Sequence, residues 1–178
     1  MDGHVILLQP LGSTLPPVME ERLLKGIPLA FNLPVEVAEV LTAPVWALSG
    51  TRNQYQGSAL LRFLSTVEAP HALRLLGVLE GDAFAEGMNF IFGQATLHGR
   101  NAFIALARLN PTYYGQEPDP ERCAERALRE AVHELGHTFG LRHCANDCVM
   151  RFANSLYEVD VRAPTFCASC RAALDLQL

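Results

Sequence analysis

A run of three histidines between His133 and His143 limits the fold of this chain more than any other part of its sequence. The run reads His-Glu-Leu-Gly-His-Thr-Phe-Gly-Leu-Arg-His, with the spacing H-E-x-x-H-x-x-G-x-x-H. Residues four apart lie on one face of an α-helix, so His133 and His137 can direct two imidazoles at one metal ion. Gly140 can end the helix, because glycine adopts the left-handed conformation without a steric cost. The chain can then turn and bring His143 to the same ion.

Glu134 completes this arrangement. A residue next to the first histidine leans beside the metal without ligating it, which suits a general base acting on water at the metal. Three protein ligands leave one tetrahedral position open, which is typical of a catalytic zinc site, where the pKa of water falls to about 7. The alternative is a helix with solvated or core histidines, but such a helix needs none of these offsets. The run therefore predicts zinc-dependent hydrolysis.

The residues before the run predict that it lies on a helix over 120–139. Asp119 can cap the first turn, and Pro120 is favoured at the first helical position. Glu125 and Arg129 form a favourable pair one turn apart. Apolar residues at helical spacing supply the faces that pack.

Four cysteines follow the histidines as two close pairs, Cys144 with Cys148 and Cys167 with Cys170. Pairs of this kind, separated by a loop of 18 residues, fit a tetrahedral four-cysteine zinc site. The alternatives are two disulfides or four buried thiols. A four-thiolate site has no open position, so its role would be structural. Because Cys144 directly follows His143, this second metal would hold the chain at the catalytic site.

Together these motifs resemble the archaemetzincins, a branch of the metzincin zinc metalloproteases. The family motif runs from the zinc helix through His-Cys and a Cys-x-Met turn to a terminal C-x-x-C. The positions that match it are His133, Glu134, His137, Gly140, His143, Cys144, Cys148, Met150, Cys167 and Cys170. The resemblance implies that Met150, which alone would be ordinary core filler, is the Met-turn methionine beneath the catalytic metal. It also implies that the cysteines hold a second zinc, giving two zinc ions per chain.

Upstream of the helix, strand-like and helix-like stretches alternate. We predict strands at 5–8, 35–40, 73–79, 89–95 and 102–109, helices at 15–26 and 53–68, and a hairpin turn at 98–101. This order predicts an α/β (α+β) fold in which helices pack on a mixed, twisted sheet with an antiparallel edge strand. The resemblance makes the fold metzincin-like. We expect one catalytic domain over 1–178, with an N-terminal lobe of about 1–140 and a small C-terminal lobe of about 141–178 that holds the four-cysteine zinc site.

The resemblance also implies a substrate-binding strand. In metzincins, the strand before the last one lies antiparallel at the sheet edge above the zinc and pairs with an extended peptide. Similarity places this role on Phe90, Ile91, Phe92, Gly93, Gln94 and Ala95. An unpaired edge offers main-chain groups to any peptide sequence. The alternative is that these residues form an ordinary strand.

The composition of the chain argues against two classes of binding partner, nucleic acids and membranes. The net charge is −5, and residues 142–178 carry four arginines and four acidic residues, so a nucleic-acid partner is not expected. No run reaches 18 apolar residues, so a membrane partner is not expected either. The N-terminus lacks a basic region and a cleavage site, which favours a cytoplasmic protein. Reducing surroundings favour zinc thiolates over disulfides.

We therefore expect a monomeric zinc metallopeptidase (a hydrolase) that acts on peptides or proteins. Its mechanism would be attack by metal-activated water, with Glu134 as the general base. The alternative is a metzincin-fold protein that binds peptides with weak turnover or none. The presence of Glu134 speaks against that alternative only in part, because a complete set of residues does not guarantee an accessible cleft.

Overall fold

The computed structural model describes residues 4–178, so residues 1–3 of the N-terminal stretch discussed above lie outside the described residues. The strands are β1 (Val5–Leu11), β2 (Val35–Val37), β3 (Leu48–Ser49), β4 (Gln54–Gln56), β5 (Ala72–Leu79), β6 (Ala83–Phe84), β7 (Gly93–Ala95) and β8 (Asn101–Ala105). The helices are α1 (Pro17–Phe31), α2 (Gly57–Ser65), α3 (Pro120–Thr138), α4 (Leu156–Val161) and α5 (Ala168–Asp175). Short 3-10 turns lie at Val45–Ala47, Ala107–Leu109 and Pro111–Tyr114. None of these helices has the length and apolar character that crossing a bilayer requires.

The main sheet has five strands in the order β2-β1-β5-β8-β7. The first four run parallel, and β7 is antiparallel to β8, with Gly93 opposite Ile104. Every residue of β1 is buried, as expected for a parallel strand covered on both faces. The sheet confirms the predicted mixed fold with an antiparallel edge strand. A second sheet, with the order β3-β4-β6, was not predicted.

Helices cover both faces of the main sheet. On one face α1 and α3 pack over alternate strand residues such as Ile6 and Leu8, while α2 packs on the other face over residues such as Leu75 and Phe103. The cluster under α1 and α3 continues into the residues that follow the third histidine. Those members are Cys148, Val149, Met150, Val159 and Leu174. One apolar core therefore joins the sheet to the C-terminal segment.

The prediction that the first helix ends at Gly26 is wrong, because α1 continues to Phe31. A Cβ on Gly26 would stand 2.4 Å from Leu128 Cδ2, so this glycine lets α3 approach α1 closely. The helix ends instead at Asn32, which has a φ of 53°. Gly26 therefore lies where two helices cross. The sequence alone does not distinguish a glycine at a helix crossing from a glycine that ends a helix.

The small sheet explains two further corrections. The predicted strand 89–95 is regular only over Gly93–Ala95, because the Ile91 N–H donates to the Ala83 carbonyl (2.9 Å) and draws the chain toward β6. The predicted helix 53–68 starts only at Gly57, because the residues before it form β4. The strands predicted at 35–40 and 102–109 are also shorter, ending at Val37 and Ala105.

Candidate active site and metal centres

Helix α3 carries the first two histidines, and its two ends are set by local sequence. The Asp119 carboxylate accepts a hydrogen bond from the Arg122 N–H (3.0 Å), which caps the start. The helix ends after Thr138, and Gly140 follows with a φ of +89°, as its place in the motif predicts. The Leu141 N–H then donates to the Gly136 carbonyl (3.1 Å), which closes the turn that returns the chain toward the helix.

The hairpin between β7 and β8 rests on this turn. A Cβ on Gly140 would lie 2.0 Å from the His98 ring, so only glycine allows the approach. The His98 N–H also donates to the His137 carbonyl (3.1 Å), and His98 has a φ of 53° in the hairpin turn. The edge strand is therefore held in a fixed place beside α3.

The turn brings the three predicted histidines together. One nitrogen from each of His133, His137 and His143 lies within 4.8 Å of the others, and the Nε2 atoms of His133 and His137 are 3.1 Å apart. The Nδ1 atom of His133 is 2.8 Å from the Val149 carbonyl, and that of His137 is 2.7 Å from the Leu141 carbonyl. A carbonyl can only accept, so each Nδ1 carries the proton and each Nε2 presents a lone pair.

These residues fit a zinc ion. Two lone pairs that face each other repel unless they share a cation, and ligands of a tetrahedral zinc stand roughly 3.3 Å apart when the Zn–N bonds are 2.0–2.1 Å. Burial lowers the pKa of His133, His137 and His143, which favours the neutral imidazole that metal binding requires. The carbonyls on Nδ1 fix the ring orientations in the manner of known zinc histidines.

Glu134 lies beside the histidines on α3 and is 6 % exposed. Burial raises the pKa of its carboxyl well above the ordinary value, and the charge of Glu130 raises it further. The positive charge of Arg162 acts in the opposite direction and lowers this pKa by a smaller amount. A buried carboxyl group with a raised pKa in a cleft is a candidate for proton transfer.

A buried ion pair under the site was not predicted from the sequence. Arg162 Nη2 lies 2.5 Å from Glu130 Oε1, and the two side chains are 2 % and 4 % exposed. Arg162 also donates to the Arg151 carbonyl (3.0 Å), so the pair ties the end of α4 to α3. The position of Glu130, one helical turn before Glu134, is visible in the sequence and places it near the site. Nothing near Arg162 in the sequence indicates that it pairs with Glu130. Removing one partner of such a pair typically costs about 3–5 kcal/mol.

Met150 lies against α3, where the resemblance placed the Met-turn. It is fully buried, and a Cβ on Gly136 would stand only 2.5 Å from its Sδ atom. The Met150 carbonyl accepts a hydrogen bond from the Cys144 N–H (3.0 Å). The methionine therefore packs under the helical turn of His133 and His137.

The four predicted cysteines form a second cluster, with their Sγ atoms all within 4.8 Å of one another. The Sγ atoms of Cys144 and Cys167 are 3.8 Å apart, far beyond the roughly 2.05 Å of a disulfide. Zn–S bonds of 2.3 Å in a tetrahedron place sulfurs about 3.8 Å apart, so the cluster fits zinc. Hydrogen bonds from Ser169, the backbone and Asn146 lower the pKa of Cys167 to about 5. The fifth cysteine, Cys123, is a buried thiol on α3.

A cleft of about 430 Å³ runs over the histidines and Glu134. All six residues of the predicted substrate strand line it, and so do Phe152 and Asn154, which follow Met150. The ring of Phe90 contacts that of Phe92 (5.2 Å between centroids) and lies under the Arg108 guanidinium (4.4 Å). The resulting wall is largely apolar. The contribution of 152–154 was not predicted, because no local pattern marks it.

Comparisons with known proteins agree with this geometry. The model of "Peptidase family M54" matches residues 31–176. The archaemetzincin of Methanocaldococcus jannaschii is 38% identical over 169 residues, which cover 93% of this chain and 89% of that protein. The crystal structure of the Methanopyrus kandleri archaemetzincin superposes with a TM-score of 0.86 at 37% identity and covers 98% of this chain and 96% of that one. The Archaeoglobus fulgidus archaemetzincin, crystallised with malonate, gives a TM-score of 0.81 at 37% identity, covering 94% and 98%. The chain therefore belongs to Peptidase family M54, the archaemetzincins, and is a zinc metallopeptidase.

Proposed function

We propose that this protein hydrolyses peptide bonds with a catalytic zinc held by His133, His137 and His143 and with Glu134 as the general base. The observation that supports this most strongly is the meeting of three imidazole nitrogens within 4.8 Å of one another, beside a buried carboxylate in an open cleft. Three protein ligands leave a fourth position for substrate or water, which distinguishes a catalytic from a structural site.

The chemistry follows from the positions of these groups. Zinc, when bound, supplies a Lewis acid that polarises the scissile carbonyl and lowers the pKa of water. Glu134 accepts a proton from the attacking water and passes it to the leaving amine when the C–N bond breaks. Its burial favours the first step, since a desolvated carboxylate is a stronger base than an exposed one. The Nδ1 hydrogen bonds of His133 and His137 keep both rings in place through the reaction.

We propose that the substrate is an extended peptide that lies along β7. This strand is the last in the sheet order, and no other strand of residues 4–178 pairs with its outer side. Its free N–H and C=O groups can therefore pair with a peptide of any sequence, while pockets set the preference. Phe90, Leu97 and Phe152 line the cleft, so apolar side chains next to the scissile bond are favoured.

We also propose a second, structural zinc at Cys144, Cys148, Cys167 and Cys170, giving two zinc ions per chain. Four thiolates close the coordination sphere, so this ion would not meet substrate. Free thiols fit a reducing, cytoplasmic setting. The apolar core that joins the sheet to the C-terminal residues supports one catalytic domain, with lobes of about 1–140 and 141–178.

A peptide-library digest tests the proposed activity. We expect the zinc-loaded protein to cleave peptides with large apolar residues at the scissile bond. A chelator should abolish cleavage, and added zinc should restore it in protein whose circular dichroism shows a retained fold. If zinc-loaded protein binds library peptides without cleaving any, it is a peptide-binding protein of this fold and the proposal is wrong.

A further inference from the structure

Gly93, at the start of β7, lies close against the Glu134 side chain. A Cβ built on Gly93 would stand 2.7 Å from Glu134 Cγ and 2.9 Å from Glu134 Oε1. It would also stand 2.6 Å from the Phe103 carbonyl oxygen. Carbon atoms do not approach one another this closely without repulsion, so any larger residue at position 93 must displace the glutamate, the strand, or both.

The need for glycine at this position does not come from its backbone conformation. Among residues 4–178 the glycines with positive φ are Gly12, Gly87, Gly115 and Gly140, and Gly93 does not belong to this group. Gly93 is a strand residue paired with Ile104, and glycine inside a strand weakens the strand. Such a glycine often marks a place where another group must come close, and here the groups are the Phe103 carbonyl and the Glu134 side chain.

Glu134 depends on this contact because its surroundings hold it by packing. The side chain is buried and packs against β7 at Gly93. A carboxylate that is positioned by packing keeps its place only while the residues packed against it keep theirs. Gly93 belongs to β7, the strand proposed to bind substrate. The same strand would therefore position both the Glu134 carboxylate and the peptide.

We propose that Gly93 is a positioning residue for the reaction, whose bare Cα sets the place of the Glu134 carboxylate over the metal site. This inference rests on the proposed function, because it takes Glu134 as the general base. It assigns Gly93 a role apart from backbone pairing with substrate. Substrate pairing uses the strand's main-chain groups, whereas this role uses the absence of a side chain.

The first test compares kcat with KM in Gly93→Ala. Because a displacement of about 1 Å in a reacting group can cost about 100-fold in rate, we expect kcat to fall by about that factor. KM for a library-derived peptide should change by a much smaller factor than kcat, and the zinc content should stay near the parent value. If kcat stays within about threefold of the parent value, or if KM rises while kcat is kept, Gly93 does not position the base.

The second test separates the contact with Glu134 from general strain. In the Glu134→Ala background, two of the three close atoms are gone and only the Phe103 carbonyl remains. Gly93→Ala should therefore lower the Tm by roughly 2–4 °C less in that background than in the parent. Gly77→Ala is the matched control, because its Cβ would meet Leu64 and Phe103 but not Glu134. Its effect should be equal in both backgrounds.

The outcomes separate the two proposals. A poorly folded Gly93→Ala protein that is rescued by Glu134→Ala supports the contact, whereas equal losses in both backgrounds overturn it. If Glu134→Ala keeps the parent's rate of hydrolysis, the general-base proposal fails first. If Glu134→Ala is inactive and Gly93→Ala is fully active, only the role of Gly93 is wrong.

Discussion

Replacing Glu134 with glutamine is expected to reduce peptide hydrolysis by about 10²- to 10⁴-fold, the usual contribution of a general base. Glutamine keeps the size of the side chain, so it still fits against Gly93 and leaves the cleft in shape. An amide cannot take the proton from the attacking water. The zinc content should not change, because the histidines keep their nitrogens and their backbone hydrogen bonds.

Initial rates and zinc content on the same preparations check this expectation. Glu125→Gln is the matched control, because Glu125 lies on the same helix with a side chain that is 53% exposed and only a 3.9 Å contact to Arg129. That variant should hydrolyse at the parent's rate. A Glu134→Gln protein as active as the parent would show that another group takes the proton.

The second large effect is expected at the cysteine cluster. Cys170→Ala removes one of four thiolates, and the zinc content should fall by about one ion per chain. A zinc ion held by the four cysteines would tie α5 to the loop after His143, so its loss should free that loop. Structural zinc sites contribute strongly to folding, and we expect the Tm to fall by about 10 °C or more. Hydrolysis should weaken too, because Cys144 directly follows His143.

Zinc analysis and thermal unfolding, compared with Cys123→Ala, check this second expectation. Cys123 is also buried, but it stands on α3 apart from the four clustered thiols. Its removal leaves a small cavity and should cost little beyond the lost packing. If Cys170→Ala keeps two zinc ions and the parent's Tm, the four thiols do not form a metal site.

Sequence patterns were most informative where the geometry is local. The spacing of His133 and His137 is a property of any α-helix, and the +89° φ of Gly140 is a conformation that favours glycine. Because of these two features, residue spacing was enough to predict that the three histidines meet at one point. The fold class followed in the same way from alternating strand and helix patterns and from the family resemblance.

Contacts between distant segments could not be predicted. Arg162 reaches Glu130 across 32 positions of sequence, and nothing near Arg162 in the sequence indicates that the two residues pair. Gly26 looked like a helix end, yet it serves the crossing of α1 and α3. Gly93 lies in a stretch that was predicted as a strand, and its contact with Glu134 depends on how α3 lies over the sheet edge. Each of these errors or omissions concerns tertiary packing, which local pattern does not specify.

The most direct measurement is the number of zinc ions bound by the parent protein and by His137→Ala, read together with their hydrolysis. The three-histidine site and the four-cysteine site together predict two zinc ions in the parent, one in the variant, and loss of hydrolysis with the missing ion. A His137→Ala protein that keeps two zinc ions and cleaves peptides at the parent's rate would contradict it.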